Sequence, residues 1–474
     1  MFTPTDEQLA IVDAAVNSTD NLLIQAGAGA AKTSTLELVA KALPDTEILC
    51  LAFNKKIALE MTERMPANVK AMTLNAIGHR VWMDSSGRRL RLETDKTYKI
   101  MSELIEALPS SSRPYDSMGE LMKLVGFGKQ CGYVPTDHFP QARGLMSDEE
   151  FFAHIDLKLS DIEFDLVRSA TVQSITQALS GLIDFDDQVF MPTIFSGSFP
   201  RYKLTLVDEA QDLSSLNHRM LHKMVGQRRL IAVGDRAQAI YGFRGAHEES
   251  MKKLGQEFSC RELPLTLTFR CPETLVAHAR WRAPLMRSNK PGGEVKTLGS
   301  WSSDSIPDGA FILCRNNAPL FRTAVRLLKQ SRHCELSSGD VAKQLLKVMT
   351  KFGPKSLTQP EVLDKIEAWK EKEKAKLKPR AHGLVHDKAE CMVIFANAGA
   401  TLGEALAYIN HLINSTGSIK LYTGHKAKGL ETDHVFILDK QLLDDEGQDL
   451  NLLYVMQTRA KQTLTYIDSG GYVG

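Results

Sequence analysis

The sequence predicts an α/β protein built on two parallel sheets, and three observations carry that prediction. Short apolar runs recur, each run ends in a polar or charged loop, and helical patterns lie between many of them. The first set of runs is Leu22 to Gln25, Ile48 to Phe53, Ala71 to Leu74, Leu204 to Val207, Leu230 to Val233 and Leu265 to Leu267. The second set is Phe311 to Leu313, Ile419 to Tyr422, Val435 to Leu438 and Leu464 to Ile467. Two α/β units are the simplest account. Residues 76–190 and 355–415 break this rhythm and read as mainly helical insertions, one in each unit. The Gly-, Pro- and Ser-rich stretch 289–309 reads as a hinge between the units.

Composition bounds the function classes. The chain has 474 residues, 43% apolar and 24% charged, which is enough for two to four domains and a substantial core. Lys+Arg (58) nearly balances Asp+Glu (57), so any nucleic-acid surface must be a local basic patch. No apolar run reaches the length of a membrane span. The opening MFTPTDEQLA has no basic segment followed by an apolar stretch, so a secretory leader is not expected. The seven cysteines are scattered without a C-x-x-C pair, which fits reduced thiols in a cytoplasmic compartment rather than structural zinc.

"LLIQAGAGAAKTSTLELV" (22–39) reads as a strand, a small-residue loop, Lys-Thr and a helix. A triphosphate needs converging backbone N–H groups, a cation and a hydroxyl for Mg²⁺. Gly27 and Gly29 let the chain turn and approach closely. Lys32 supplies the charge, Thr33 the hydroxyl, and the helix from Ser34 the positive end of its dipole. Strict G-x-x-x-x-G-K-T fails at Ala26 and Ala31, and a plain strand-to-helix turn is the alternative. If Ala31 needs positive φ, its β-carbon costs about 1–2 kcal/mol; otherwise the methyl costs little. "LTLVDEAQDLS" (204–214) ends a strand in two adjacent carboxylates. Asp208 suits Mg²⁺ and Glu209 suits proton abstraction from an attacking water; an acidic helix start is the alternative.

These two segments, with "VGDRAQAIYGFRGA" (233–246), "LTFRCPETL" (267–275), "LYTGHKAKGLETDHVFIL" (421–438) and "LLYVMQTRAK" (452–461), occur in order. Together they resemble the motif set of superfamily 1A DNA helicases of the UvrD/Rep/PcrA group, in a compact form like those of phages and mobile elements. The resemblance implies two RecA-like P-loop domains. The first is residues 1–75 and 191–270, with helical insertion 76–190; the second is 271–354 and 416–474, with a reduced insertion 355–415.

It also implies site roles. ATP with Mg²⁺ would lie at a loop of Ala26, Gly27, Ala28, Gly29, Ala30, Ala31, Lys32, Thr33 and Ser34, with Thr33 and Asp208 on the metal. The cofactor would sit in a cleft lined by both α/β units. Gln8 would read the adenine and Phe269 stack on it; an exposed helix glutamine is the alternative for Gln8. Glu431 would lie near the ribose. Arg270 and Arg459 would face the γ-phosphate, where a lone arginine is otherwise a surface ion pair. Gln238 and Arg244 would link the γ-phosphate to DNA. Tyr241 and Phe243 would stack on bases, unless they are core aromatics. Asn54, Thr73, Thr423, His425 and Lys428 would touch the DNA backbone; a loop histidine is the alternative for His425.

Three departures stand out: Ala31, Asn75 within "TLNA", and Leu450 with Met456. None removes a catalytic charge. The implied activity is an ATP-dependent helicase or translocase moving 3′-to-5′ on single-stranded DNA and opening duplex at single-strand/duplex junctions. A translocase that strips bound proteins, or a nucleotide-gated DNA-binding module with weak ATPase, are the rivals. Monomeric action in the cytoplasm or nucleoid, without a membrane and alongside replication or recombination proteins, completes the expectation.

Overall fold

The computed structural model describes residues 3–135, 137–240 and 249–473. The chain separates into two compact units. The first is Met1–Gly27, Ala31–Ile155 and Leu159–Thr266; the second is Ala28–Ala30, Asp156–Lys158 and Leu267–Gly474.

The first unit holds a six-stranded sheet of β1 (Leu22–Ala26), β2 (Ile48–Ala52), β3 (Val69–Thr73), β4 (Leu204–Val207), β5 (Arg229–Gly234) and β6 (Arg261–Leu265), in the order β3-β2-β4-β5-β1-β6. All neighbours run parallel. A parallel sheet is covered on both faces, so its inner strands read as continuous apolar runs. Every residue of β2 and β4 is accordingly buried. Strands β4 and β5 fill the gap between β2 and β1. The loops after β1, β4 and β5 therefore emerge on one edge of the sheet, where parallel sheets bind ligands.

Between β3 and β4 the chain is mainly helical, with Leu74–Ser86, Lys96–Glu106, Met118–Cys131, Asp161–Leu179 and Asp187–Ile194 as its longer helices. Its interior contains a buried ion cluster. Lys96 Nζ lies 2.5 Å from Asp187 Oδ2, and Lys129 Nζ lies 2.7 Å from both Asp184 Oδ2 and Asp187 Oδ1. Asp184 and Asp187 each accept the other's backbone N–H. The periodicity of these helices was readable in the sequence; the pairing of charges distant in the chain was not.

The second unit holds β7 (Glu294–Leu298), β8 (Phe311–Cys314), β9 (Cys334–Leu336), β10 (Ile419–Thr423), β11 (Thr432–Leu438) and β12 (Ala460–Ile467), in the order β7-β12-β11-β8-β10-β9. These also pair in parallel. Two features correct the sequence reading. The stretch expected to be a hinge, 289–309, contains β7. That strand is an edge, mostly exposed, and so lacks the apolar run that marks an inner strand. The run Leu265 to Leu267 is not one strand. β6 ends at Leu265, and Leu267–Thr268 instead pairs with Arg287–Ser288.

The helices Gln359–Ala375, His382–Ala396 and Leu402–Ile413 share one core with the second sheet: Ile366, Phe395 and Ile409 belong to the same buried cluster as Ile312 and Leu421. Phe395 packs 5.1 Å, ring to ring, from Phe321. Among the described residues no helix is long and apolar enough to cross a membrane, and all seven cysteines are free thiols.

Removing one member of a buried ion pair leaves its partner charge without compensation, at a cost of about 3–5 kcal/mol. Asp187→Ala should therefore lower the unfolding free energy by that order in urea titration. A change below about 1 kcal/mol would show that the cluster is not dry.

Candidate nucleotide site and nucleic-acid contacts

The loop after β1 leads into the helix Lys32–Ala42. Its N-cap, Ala31, has φ 58° and ψ 42°, in the left-handed region. This is the position where positive φ makes a β-carbon unfavourable. Gly29 also has positive φ (70°), and a β-carbon there would fall 2.6 Å from Arg270 Cβ. Ala28–Ala30 group with the second unit, where the Ala28 N–H donates to Tyr454 Oη at 3.1 Å and the Gly29 carbonyl accepts the Phe269 N–H at 2.9 Å.

Within the first unit, Lys32 Nζ lies 3.1 Å from Glu209 Oε2, and Thr33 Oγ1 donates to Asp208 Oδ2 at 2.8 Å. The sheet order thus brings together residues far apart in sequence: Lys32 and Thr33 after β1, Asp208 and Glu209 after β4. Glu209 is itself left-handed, at φ 52°, and its N–H donates to Asp208 Oδ1. Backbone strain of this kind gathers at functional sites.

The polar chain continues through two residues that sequence reading did not single out. Gln211 donates to Glu209 Oε2 at 2.6 Å, and its Oε1 accepts the Asp235 N–H at 3.0 Å. Asp235 then accepts from Gln238 Nε2 at 2.7 Å. Both lie inside motifs already read, so their polar character after strands β4 and β5 was the available signal. Gly234 permits the close approach, since a β-carbon there would fall 2.5 Å from Gln211 Oε1.

Electrostatics follow from this crowding. Burial pushes the Asp208 carboxyl up to about 6, Glu209 adds repulsion, and Lys32 opposes both. Burial likewise raises Asp235. For Lys32, burial works to lower the pKa, but Glu209, Asp208 and Asp235 outweigh it and the net shift is upward. Three carboxylates around one ammonium make a site that favours further cations. The Thr33 hydroxyl beside the Asp208 carboxylate is an oxygen donor set that fits Mg²⁺.

Gln8 is fully buried, not exposed. Its Oε1 accepts the Thr5 N–H and its Nε2 donates to Thr35 Oγ1, each at 3.0 Å, which fastens the first helix to Lys32–Ala42.

Asn54 and Thr73 stand at the carboxyl ends of β2 and β3. Each side chain caps the helix that follows, accepting from Ile57 N–H and Ala76 N–H. Asn75 donates to the Phe185 carbonyl at 2.8 Å and to Gln188 Oε1 at 3.1 Å. Phe53 and Phe185 are exposed aromatics beside these residues, 43% and 55% accessible, and sequence reading missed both. Phe53 and Asn75 line one cavity with Asp208, Glu209 and Asp212. Tyr241, Phe243 and Arg244 lie outside the described residues.

In the second unit, Arg270 Nε lies 2.6 Å from Glu431 Oε2, and its guanidinium also donates to the Thr458 carbonyl. Burial works against the Glu431 charge, but Arg270 holds its carboxyl below the usual range. Arg459 is 1% exposed and donates to the Val455 and Leu430 carbonyls and to Thr458 Oγ1. Phe269 is half-buried. Thr423 ends β10, and its carbonyl accepts the Lys426 N–H in the turn that carries half-buried His425 and Lys428.

Residues 8–244, half of the chain, match the family described as AAA domain, and residues 419–467 match the UvrD-like helicase C-terminal domain. The F-box DNA helicase protein 1 of Schizosaccharomyces pombe is 25% identical over 98% of this chain and 57% of its own length. The putative ATP-dependent DNA helicase YjcD of Bacillus subtilis is 24% identical over 56% of this chain and 37% of its own. The ATP-dependent DNA helicase PcrA of Leuconostoc citreum is 24% identical over 52% and 34%. The chain thus spans between about a third and somewhat over half of the length of these relatives.

Two outcomes follow from the site. Ala31→Gly should raise stability by about 0.5–1 kcal/mol, the relief of about 1–2 kcal/mol being partly offset by glycine's unfolded-state entropy. A urea midpoint that fails to rise would contradict the left-handed assignment. The second concerns pH. Asp208 keeps its proton to about pH 6 in the fold, against 3.8 for an ordinary aspartate. Its favourable contribution is complete below the lower value and is lost as pH rises through the higher one. In chelator, Tm should therefore fall across that window more in the wild type than in Asp208→Asn; parallel profiles would refute the shift.

Proposed function

Because the chain belongs to the UvrD-like superfamily 1 helicases, we propose that it is an ATP-driven motor that moves 3′-to-5′ on single-stranded DNA and opens duplex at junctions. The observation that carries this reading is the pairing of Lys32 with Glu209 and of Thr33 with Asp208 at two strand ends. In that arrangement Lys32 and Glu209 hold each other. An incoming triphosphate takes Lys32 for itself, which frees the Glu209 carboxylate to accept a proton from the attacking water. Thr33 and Asp208 would hold Mg²⁺, which supplies charge neutralisation for the phosphates. Ala26, Gly27, Ala28, Gly29, Ala30 and Ser34 contribute the loop and helix start around the phosphates. Phe269 stacks on the adenine and Glu431 lies toward the ribose, while buried Gln8 acts from behind the loop by holding the first helix to Lys32–Ala42.

Arg270 and Arg459 stabilise charge that develops on the γ-phosphate, a role worth about 10³–10⁵ in rate. Their anchoring on Glu431, Thr458 and backbone carbonyls supports this, because fixed donors need no rearrangement as charge builds. Gln238 sits at the far end of the polar chain from Glu209, where it can report DNA occupancy to the acidic residues. Asn54, Thr73, Tyr241, Phe243, Arg244, Thr423, His425 and Lys428 contact the strand. Phe53 and Phe185 add stacking surfaces, at about 1–3 kcal/mol per stacked base. The relatives' printed names, all DNA helicases, support the same substrate class.

The test is ATP turnover with and without single-stranded DNA, followed by unwinding of duplexes with 3′ or 5′ tails. Stimulated turnover in the wild type and its loss in Lys32→Ala are expected, with unwinding from the 3′ tail. Equal turnover in both proteins would end the reading. Turnover without unwinding leaves a protein-displacing translocase. Nucleotide-dependent DNA binding without turnover leaves a gated binding module.

A further inference from the structure

Outside the nucleotide-binding set, three side chains line up on the carbonyl that follows Glu209. Ser250, the first residue of the helix Ser250–Glu257, is 1% exposed, and its Oγ donates to the Ala210 carbonyl at 3.1 Å. His218, on the helix Ser215–Val225, is 3% exposed. It presents Nε2 to Ser250 Oγ at 2.9 Å and Nδ1 to Glu257 Oε2 at 3.0 Å.

The protons in this line can be counted. A carbonyl and a carboxylate are acceptors only. Three bonds in series therefore need three protons, one on Oγ and one on each ring nitrogen. Only the imidazolium provides them all. A neutral ring has one proton, which Glu257 retains on Nδ1. Nε2 is then an acceptor, and the Ser250 hydroxyl turns from the Ala210 carbonyl to the ring. The charge on His218 thus decides whether Ser250 grips the backbone next to Glu209.

We propose that His218 is a positioning residue for the DNA-stimulated step: through Ser250 it ties the helix that follows Tyr241, Phe243 and Arg244 in the chain to the backbone beside Glu209. The inference rests on the reading of the chain as a DNA-stimulated ATPase. The groups that face His218 are Glu257 and Lys253 from the helix opposite and His222 from its own. Burial lowers its basicity more than Glu257 restores it, so the link closes as pH falls below the ordinary histidine range.

DNA-stimulated and basal ATPase are measured across about pH 5–8 for the wild type, Ser250→Ala and His218→Gln, with Tm as a folding check. The wild type should gain stimulation toward acid pH. Ser250→Ala removes one oxygen and should lose that gain, by about fivefold or more, with basal turnover unchanged. His218→Gln donates to Ser250 at every pH and should keep stimulation high with a flat profile. The wild-type slope persisting in Ser250→Ala overturns this inference alone. Absence of stimulation in the wild type at every pH overturns the functional reading and this inference with it.

Discussion

Lys32 and Glu209, 3.1 Å apart in the segments that follow strands β1 and β4, hold together the two loops on which the site of the first unit depends. Neither charge is well solvated, so each is tolerable because the other is there. Asp208 and Asp235 crowd the same ammonium, and burial drives both carboxyls toward their protonated forms. The balance is short of positive charge. A bound cation would supply it, and the shared Lys32 ammonium is the physical reason the loop, the acidic strand end and the polar chain to Gln238 belong to one site.

The same place concentrates backbone strain. Ala31 and Glu209 are both non-glycine residues in the left-handed region. Each carries about 1–2 kcal/mol that a glycine at that position would not. The strand ends over-determine the two loops: Gly27 N–H donates to the Leu265 carbonyl, and Asp208 N–H to the Leu51 carbonyl. A framework of buried parallel strands can hold such turns because its own hydrogen bonds do not depend on them. Ala31 is therefore compatible with an intact site, and its cost falls on stability rather than on the charged groups.

The second unit solves a related problem by different means. Its two candidate arginines are fixed within the unit, Arg459 by carbonyls and Arg270 by Glu431. Guanidinium groups tolerate such burial because planar donors can satisfy several acceptors at once. The helices of 359–413 share the core of this sheet, so this part of the chain gains its stability from the unit rather than from a core of its own.

Much of this was legible in the amino-acid order. Inner parallel strands announce themselves because burial on both faces demands unbroken apolar runs, and β2 and β4 were read on that basis. The edge strand β7 was not, because an edge exposed on its faces carries no such demand. Lys32, Thr33, Asp208 and Glu209 were legible because the chemistry of phosphate and metal binding needs those types directly after a strand. Gln211 and Asp235 carried a signal, a polar residue after a strand, but their link joins two strand ends that only the sheet order brings together; Phe53 and Phe185 escaped because an aromatic residue in a loop has no distinctive local pattern. What the sequence alone determined was the set of charged groups and the strands that present them, both properties of short segments. Only the tertiary structure decided that Ala31 is left-handed, that Gln8 is buried, and that Lys96 meets Asp187. Those outcomes depend on strand order and on contacts between residues far apart in the chain, which no local pattern encodes.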